Sequence, residues 1–339
     1  MKHVFGIASH LTFNMARKVI EVDNIPHSGC CFLMLRNYSM PSEYKDKFSN
    51  SLSTSYNTDE THGRIFESWR IWRTRNNMRT FDKVIEDLTN GEDFIWYTSI
   101  CYNDICSMMV TNHRCLGYYV MEDGLISYER DVPTFRGWKY WFYKGILLKL
   151  YPRIFVLKNH LVSVDHPKFK GCVASSSLCF PDYQEKVRVI GSPFVPKVYD
   201  ICPDAVISVD PLFFKGISNE VVERVYKQLS EYMRSTRSYK CVAYKFHPRF
   251  YVPDNNVHRE AYKTILTSSL GETIIELPQD VVLENLLSWC KADFYSCDSS
   301  VALYASQMGV RCFSIMPLLE GTPAYHPTEI MNKISIAIK

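Results

Sequence analysis

The run VVLENLLSWCKADFYSCDSSVALYASQMGVRCFSI, residues 281–315, decides the fold class. Residues 281–290 place apolar side chains at helical spacing, 294–297 is a short β-favouring run, 300–308 returns to helical spacing, and 312–315 is β-favouring again. Helix, strand, helix and strand follow one another too closely for hairpins. The strands are therefore expected to lie parallel, with the helices packed on the sheet faces.

The alternation continues outward in both directions. Upstream, 206–209, 240–246 and 274–277 read as strands, and 219–235 as an amphipathic helix. The first half begins a separate series: 3–7, 31–36, 94–99, 115–121, 155–164 and 187–190 as strands, with helical stretches at 13–22, 82–88 and 102–111. Residues 41–63, rich in Ser, Asn, Thr and Asp, read as loop. Between the series, Pro193, Pro196 and Pro203 break every periodicity across Gly191–Asp210, with Pro211 just beyond. The expectation is an α/β protein of two Rossmann-like domains, 1–195 and 196–339, hinged in that stretch and facing a central cleft. A chain of 339 residues suits two such cores better than one.

Composition excludes several classes. A net charge of +3 does not suit a dedicated nucleic-acid binder, which must neutralise many phosphates. No apolar run is long enough to span a bilayer, and Met1 to Phe5 enter a strand-like run with no apolar leader before it. A cytoplasmic protein with reduced thiols is expected. The 12 cysteines form no C-x2-C pair and no D-x-D occurs, so neither a metal nor another cofactor is expected.

Ligands of parallel sheets bind at the carboxyl ends of the strands, which directs attention to three short stretches. Glu122-Asp123-Gly124 follows the strand 115–121. It offers two carboxylates for general-base work and a glycine for a tight turn, although the tripeptide is also an ordinary acidic turn. His247-Pro248 follows 240–246, where His247, or Lys245 just before it, would meet a leaving phosphate. Another His-Pro, His166-Pro167, lies in the first half and follows no strand of the second series. Ser299-Ser300 sits between a strand and a helix, where hydroxyls and free N–H groups suit an anion, or simply cap the helix.

Taken in order, these stretches resemble the D/E-D/E-G, H-P and S-S/T pattern of the bacterial sialyltransferases. That group includes polysialyltransferases and lipooligosaccharide sialyltransferases. The run from Glu276 through Glu284 to Asp298-Ser299-Ser300 also looks like the nucleotide-binding region of that group. The resemblance does not extend to residues 1–90. It implies a GT-B arrangement and an inverting, metal-independent transfer of sialic acid from CMP-sialic acid to a hydroxyl of a capsule or lipooligosaccharide glycan. Carried over, it makes Glu122 or Asp123 the base, with Gly124 shaping their turn. His247 with Pro248 would serve the departing phosphate, Ser299 and Ser300 would bind it, and Glu284 would hold the ribose. Lys245 is added from its position alone. Transfer of another CMP-activated nonulosonic acid or Kdo fits the same residues, and a non-catalytic carbohydrate binder keeps the frame without the chemistry.

One stretch stands outside these motifs. Residues 134–151 carry Arg136, Lys139, Lys144 and Lys149 among aromatic residues, with no acid. Two readings are open: a membrane-surface segment that reaches a lipid-linked acceptor, or a buried helix whose cationic stems reach out to water.

Overall fold

The computed structural model describes residues 1–35, 38–48, 50–53, 65–66, 70–99, 104–131, 137–154, 166–271, 273–297 and 299–338. Contacts divide the chain into two compact units, Met1–Pro193 and Phe194–Lys339.

The first unit contains β1 (Lys2–Ile7), β2 (Cys30–Met34), β3 (Ser51–Ser53), β4 (Phe94–Thr98), β5 (Cys115–Met121), β6 (Phe169–Ala174) and β7 (Val187–Val189). They form one sheet in the order β3-β2-β1-β4-β5-β6-β7, every pairing parallel. All five residues of β2 are buried, as expected of a strand covered on both faces. The helix His10–Val22 covers one face with Phe13, Met15, Ala16, Val19 and Ile20, packed with Phe5, Phe32 and Tyr97. Its start is fixed by a reciprocal cap: the Ser9 hydroxyl accepts from the Thr12 N–H, and the Thr12 hydroxyl accepts from the Ser9 N–H.

The second unit contains β8 (Ala205–Val209), β9 (Val242–Phe246), β10 (Ile275–Glu276), β11 (Asp293–Ser296), β12 (Cys312–Ser314) and β13 (Ile336–Ala337). Their order is β10-β9-β8-β11-β12-β13, again wholly parallel. Counted within the unit this is 3-2-1-4-5-6, the dinucleotide-binding order, whose direction of winding reverses between β8 and β11. The helices Asn219–Thr236 and Asn256–Leu270 pack Val222, Val225, Tyr226, Leu229, Tyr262 and Leu266 against Ile207, Val209, Tyr244 and Phe246.

Several expectations need correction. The loop expected at 41–63 holds the helical turn Ser42–Lys45 and the edge strand β3. The helix at 82–88 runs over Ile71–Thr89. The strand expected at 155–164 lies outside the described residues, and β6 is a strand the sequence concealed. Gly171 in its middle has φ +143°, and a Cβ there would come within 2.7 Å of the Lys186 carbonyl oxygen. A lysine and a glycine side by side in six residues hide the strand, yet the close approach of the β7 chain requires the glycine.

Residues 138–150 are helical with a π-helical turn at Tyr143–Leu147, and they are not a buried helix. Trp138 is 72% and Trp141 66% exposed, and Lys139, Lys144 and Lys149 are exposed beside them. Among the described residues no helix is long and apolar enough to cross a membrane, and no group of three or more His, Cys, Asp or Glu side chains offers a metal site. The described cysteines are free thiols, most of them buried.

Candidate functional site

In a wholly parallel sheet every strand ends on the same edge, so the loops after the strands gather there. In the first unit that edge carries Glu122, Asp123 and Gly124 after β5, and Ser175 after β6. Gly124 adopts φ +71°, which turns the chain directly into the 3-10 turn Gly124–Tyr128.

The two carboxylates have different surroundings. Glu122 is 0% exposed. Its Oε1 accepts from the Tyr128 hydroxyl at 2.8 Å, and its Oε2 accepts from the Ser175 N–H at 2.6 Å. This carboxylate thus ties the β5 loop to the β6 loop. Burial, with the Glu122 charge next to it, drives the Tyr128 hydroxyl far above its ordinary pKa, so it remains a donor. Asp123 is half-exposed, and its N–H donates to the Ser127 hydroxyl at 2.9 Å.

In the second unit the carboxyl edge gathers the remaining candidates. His247 follows β9, with its N–H on the Val209 carbonyl at the end of β8. Its Nδ1 accepts from the Arg249 N–H at 3.2 Å, which assigns the ring proton to Nε2 in the neutral form. Pro248 opens the short 3-10 turn that supplies this N–H. Burial, then the Arg249 charge, lowers the His247 pKa below its ordinary 6.5. The ring is therefore a neutral N–H donor at pH 7.

Lys245, inside β9, is half-buried and donates its ammonium to the Val281 carbonyl just before the helix Leu283–Cys290. Burial lowers its pKa, while the charges of Glu284 and Asp280 act in the opposite sense. Glu284, in the first turn of that helix, has its pKa raised by burial and drawn back by its own N–H and by Lys245. Lys245 and Glu284 therefore share one electrostatic environment.

Ser299 caps the helix Ser300–Gln307, its hydroxyl accepting from the Val301 N–H at 3.3 Å. This cap follows β11, at the reversal between β8 and β11 where sheets of this order bind ligands. Two strand spacings, roughly 10 Å, separate the ends of β9 and β11 in such a sheet. The fold thus brings His247, Lys245, Glu284, Ser299 and Ser300 to one edge of one sheet.

His166 belongs to another environment. Its Nδ1 accepts from the Lys168 N–H at 3.2 Å, but it precedes β6 and so lies at an amino-terminal strand end. The chain also holds a third His-Pro, His326-Pro327, in the loop between β12 and β13. Sequence reasoning missed four other residues at these edges. Tyr128 and Ser175 hold Glu122, Asp280 faces Lys245, and Asp210 after β8 accepts from the Cys297 N–H at 3.3 Å. Only Asp210 carried a signal, as the acid that directly follows the apolar run of β8.

No protein-family model matches the chain, and no curated protein matches it. Solved structures do resemble it. The GT-B domain of a sialyltransferase from Photobacterium damselae superposes with a TM-score of 0.53 at 10% identity, covering 99% of this chain and 100% of that one. The UDP-GlcNAc 2-epimerase of Methanocaldococcus jannaschii gives 0.52 at 12%, covering 100% and 89%. Likeness at such identities establishes the fold, and the fold is GT-B.

Proposed function

We propose that this chain is an inverting, metal-independent glycosyltransferase that moves sialic acid from CMP-sialic acid to a hydroxyl of a surface glycan, of capsule or lipooligosaccharide type. The observation that carries the reading is the gathering of His247, Lys245, Glu284, Ser299 and Ser300 around the reversal point of the second sheet. In this account 196–339 bind the donor and 1–195 the acceptor.

Of the two acidic candidates, Asp123 is the base. A base must touch the acceptor hydroxyl, and Asp123 is half-exposed, whereas Glu122 is wholly buried with both oxygens engaged. Asp123 takes the hydroxyl proton as the acceptor oxygen bonds to the anomeric carbon. The bond from that carbon to the phosphate breaks on the opposite face, and its electron pair stays on the phosphate oxygen. His247 Nε2–H and the Ser299 and Ser300 groups donate to that oxygen and its neighbours. A lone phosphate gathers less charge than a diphosphate, so fixed donors serve in place of a metal ion. Glu284 accepts from the ribose hydroxyls, beside Lys245.

The test is release of CMP from CMP-sialic acid, with and without a lactose-terminated acceptor, in EDTA. Acceptor-dependent release supports the proposal. Release only after divalent metal is restored contradicts the mechanism. No release from any CMP-nonulosonate or CMP-Kdo leaves a carbohydrate-binding protein, and epimerisation of UDP-GlcNAc would mark the other chemistry found on this fold. A screen of CMP-sugars separates sialic acid from pseudaminic, legionaminic and Kdo donors.

The exposed tryptophans and lysines of residues 138–149 support peripheral contact with the inner face of a membrane, where a lipid-linked acceptor would be met. Each basic residue near an anionic surface contributes about 1 kcal/mol. Changing Lys139, Lys144 and Lys149 together to Glu should reduce sedimentation with anionic vesicles; equal sedimentation would refute the contact.

A further inference from the structure

Beyond the Ser299 cap, the carboxyl edge of the second sheet opens into a cavity of about 600 Å3 over the ends of β11, β12 and β13. Small-molecule sites fall in the range of roughly 300–1,000 Å3. Cys297, Ser314, Met316, Met331 and Ile338 are buried and form the floor. The remaining lining includes Glu320, Tyr325, His326, Thr328 and Asn332, with Asn332, His326 and Glu320 exposed at the rim.

Three features of this lining define its ligand. Among the described residues no Lys or Arg lines the cavity and Glu320 does, so a phosphate or carboxylate there would meet the Glu320 charge. The volume far exceeds a pyrimidine ring and has room for one or two sugar rings. The polar groups can still donate and accept. The Ser314 hydroxyl accepts from the Met316 N–H and the Thr328 hydroxyl from the Met331 N–H, which leaves each O–H to donate. Asn332 offers both roles, Glu320 accepts from sugar hydroxyls, and Tyr325 presents a ring to sugar C–H groups. Met316 and Met331 supply a soft apolar floor for an N-acyl methyl.

We propose that this cavity is a subsite for a neutral, N-acylated, polyhydroxylated portion of a sugar. Two sources share that chemistry: the N-acyl and glycerol side chain of the sugar being transferred, and a neutral saccharide of the acceptor glycan. The choice of source rests on the transferase reading above; the chemistry rests on the cavity lining. Cys297, just after β11 and two residues before Ser299 in the chain, lines the cavity, so the cavity adjoins the proposed donor edge.

The experiment uses the full chain, with Asn332→Trp to occupy the mouth and Tyr325→Ala to remove the ring. Calorimetry would measure binding of CMP, CMP-sialic acid and the methyl glycoside of N-acetyllactosamine, with thermal midpoints recorded. CMP affinity should stay within two-fold of wild type in both variants. An acceptor subsite predicts at least a tenfold loss for the disaccharide alone. A donor subsite predicts that the advantage of CMP-sialic acid over CMP shrinks by that factor. The proposal is overturned if neither loss appears in variants that remain folded, or if CMP alone weakens, because the cavity would then belong to the nucleotide. Absence of CMP binding by wild type, with the disaccharide still bound and lost on substitution, would refute the transferase reading and leave the sugar subsite standing.

Discussion

His166-Pro167 and His247-Pro248 make the same local turn in different places. In each, Nδ1 accepts from the N–H two residues on, at 3.2 Å. In each, burial and then a cation at that same residue, Lys168 or Arg249, lower the imidazole pKa. They differ in strand direction. His166 leads into β6, and its ring lies edge-on to Tyr118 at 6.0 Å, whereas His247 leads out of β9 beside the end of β8. These two His-Pro pairs therefore share a turn and a tautomer. The place of each at the end or the start of a parallel strand determines whether that Nε2–H can serve a ligand.

The comparison is sharpened first by extending it to the neighbours Glu122 and Asp123, where the largest effect is expected. General-base catalysis is typically worth 10²–10⁴-fold, so Asp123→Asn should lower kcat by about that factor with an unchanged thermal midpoint. Glu122→Gln should lower the thermal midpoint, because it replaces the carboxylate that accepts from Tyr128 and Ser175. Steady-state kinetics with thermal melts read both. The reverse pattern would move the base to Glu122.

The histidines come next. His247→Ala should cost about 10²–10³-fold in turnover, the usual cost of removing one donor to a developing oxyanion. His166→Ala should stay within a few-fold while folded. Turnover of the two variants at saturating donor decides the matter, and a dead His166 variant beside a healthy His247 variant would break the comparison.

Glu284→Ala should have a smaller effect, of a different kind. Hydrogen bonds to a charged group are worth roughly 1.5–3 kcal/mol, so CMP should bind about ten- to a hundredfold more weakly. Turnover at saturating donor should change little, because the ribose is held equally in ground and transition states. A large fall in kcat with unchanged KM would remove the ribose role.

The sequence disclosed the parts of this fold that rest on mainly apolar runs. β5, β8, β9 and β11 are such runs, interrupted at most by single polar residues such as Ser208 and Lys245, and each leads into a polar loop, at Glu122, Asp210, His247 and the Ser pair. The rest was hidden for particular reasons. β6 hides behind Gly171, whose absence of a Cβ matters only once β7 is alongside. The helix Asn256–Leu270 buries Tyr262, Ile265 and Leu266 but ends in Thr-Ser-Ser-Leu, which reads as loop. Whether Trp138 and Trp141 are buried is invisible in one dimension, since an aromatic helix has the same pattern either way. Glu122 and Asp123 look equivalent in sequence because the groups that separate them, Tyr128 and Ser175, come from a later turn and from the end of another strand.

The central claim is that His247, and not His166, meets the departing phosphate. It is tested most directly by following the imidazole Hε1 resonances of both residues from pH 5 to 8, with and without saturating CMP. Both should titrate below 6.5 in the free protein, since burial lowers both. An opposite charge within about 4–6 Å favours the protonated ring by 1–3 pKa units, so CMP should raise the His247 midpoint by at least about one unit and leave His166 where it was. A CMP-induced rise at His166 with none at His247 would contradict the account.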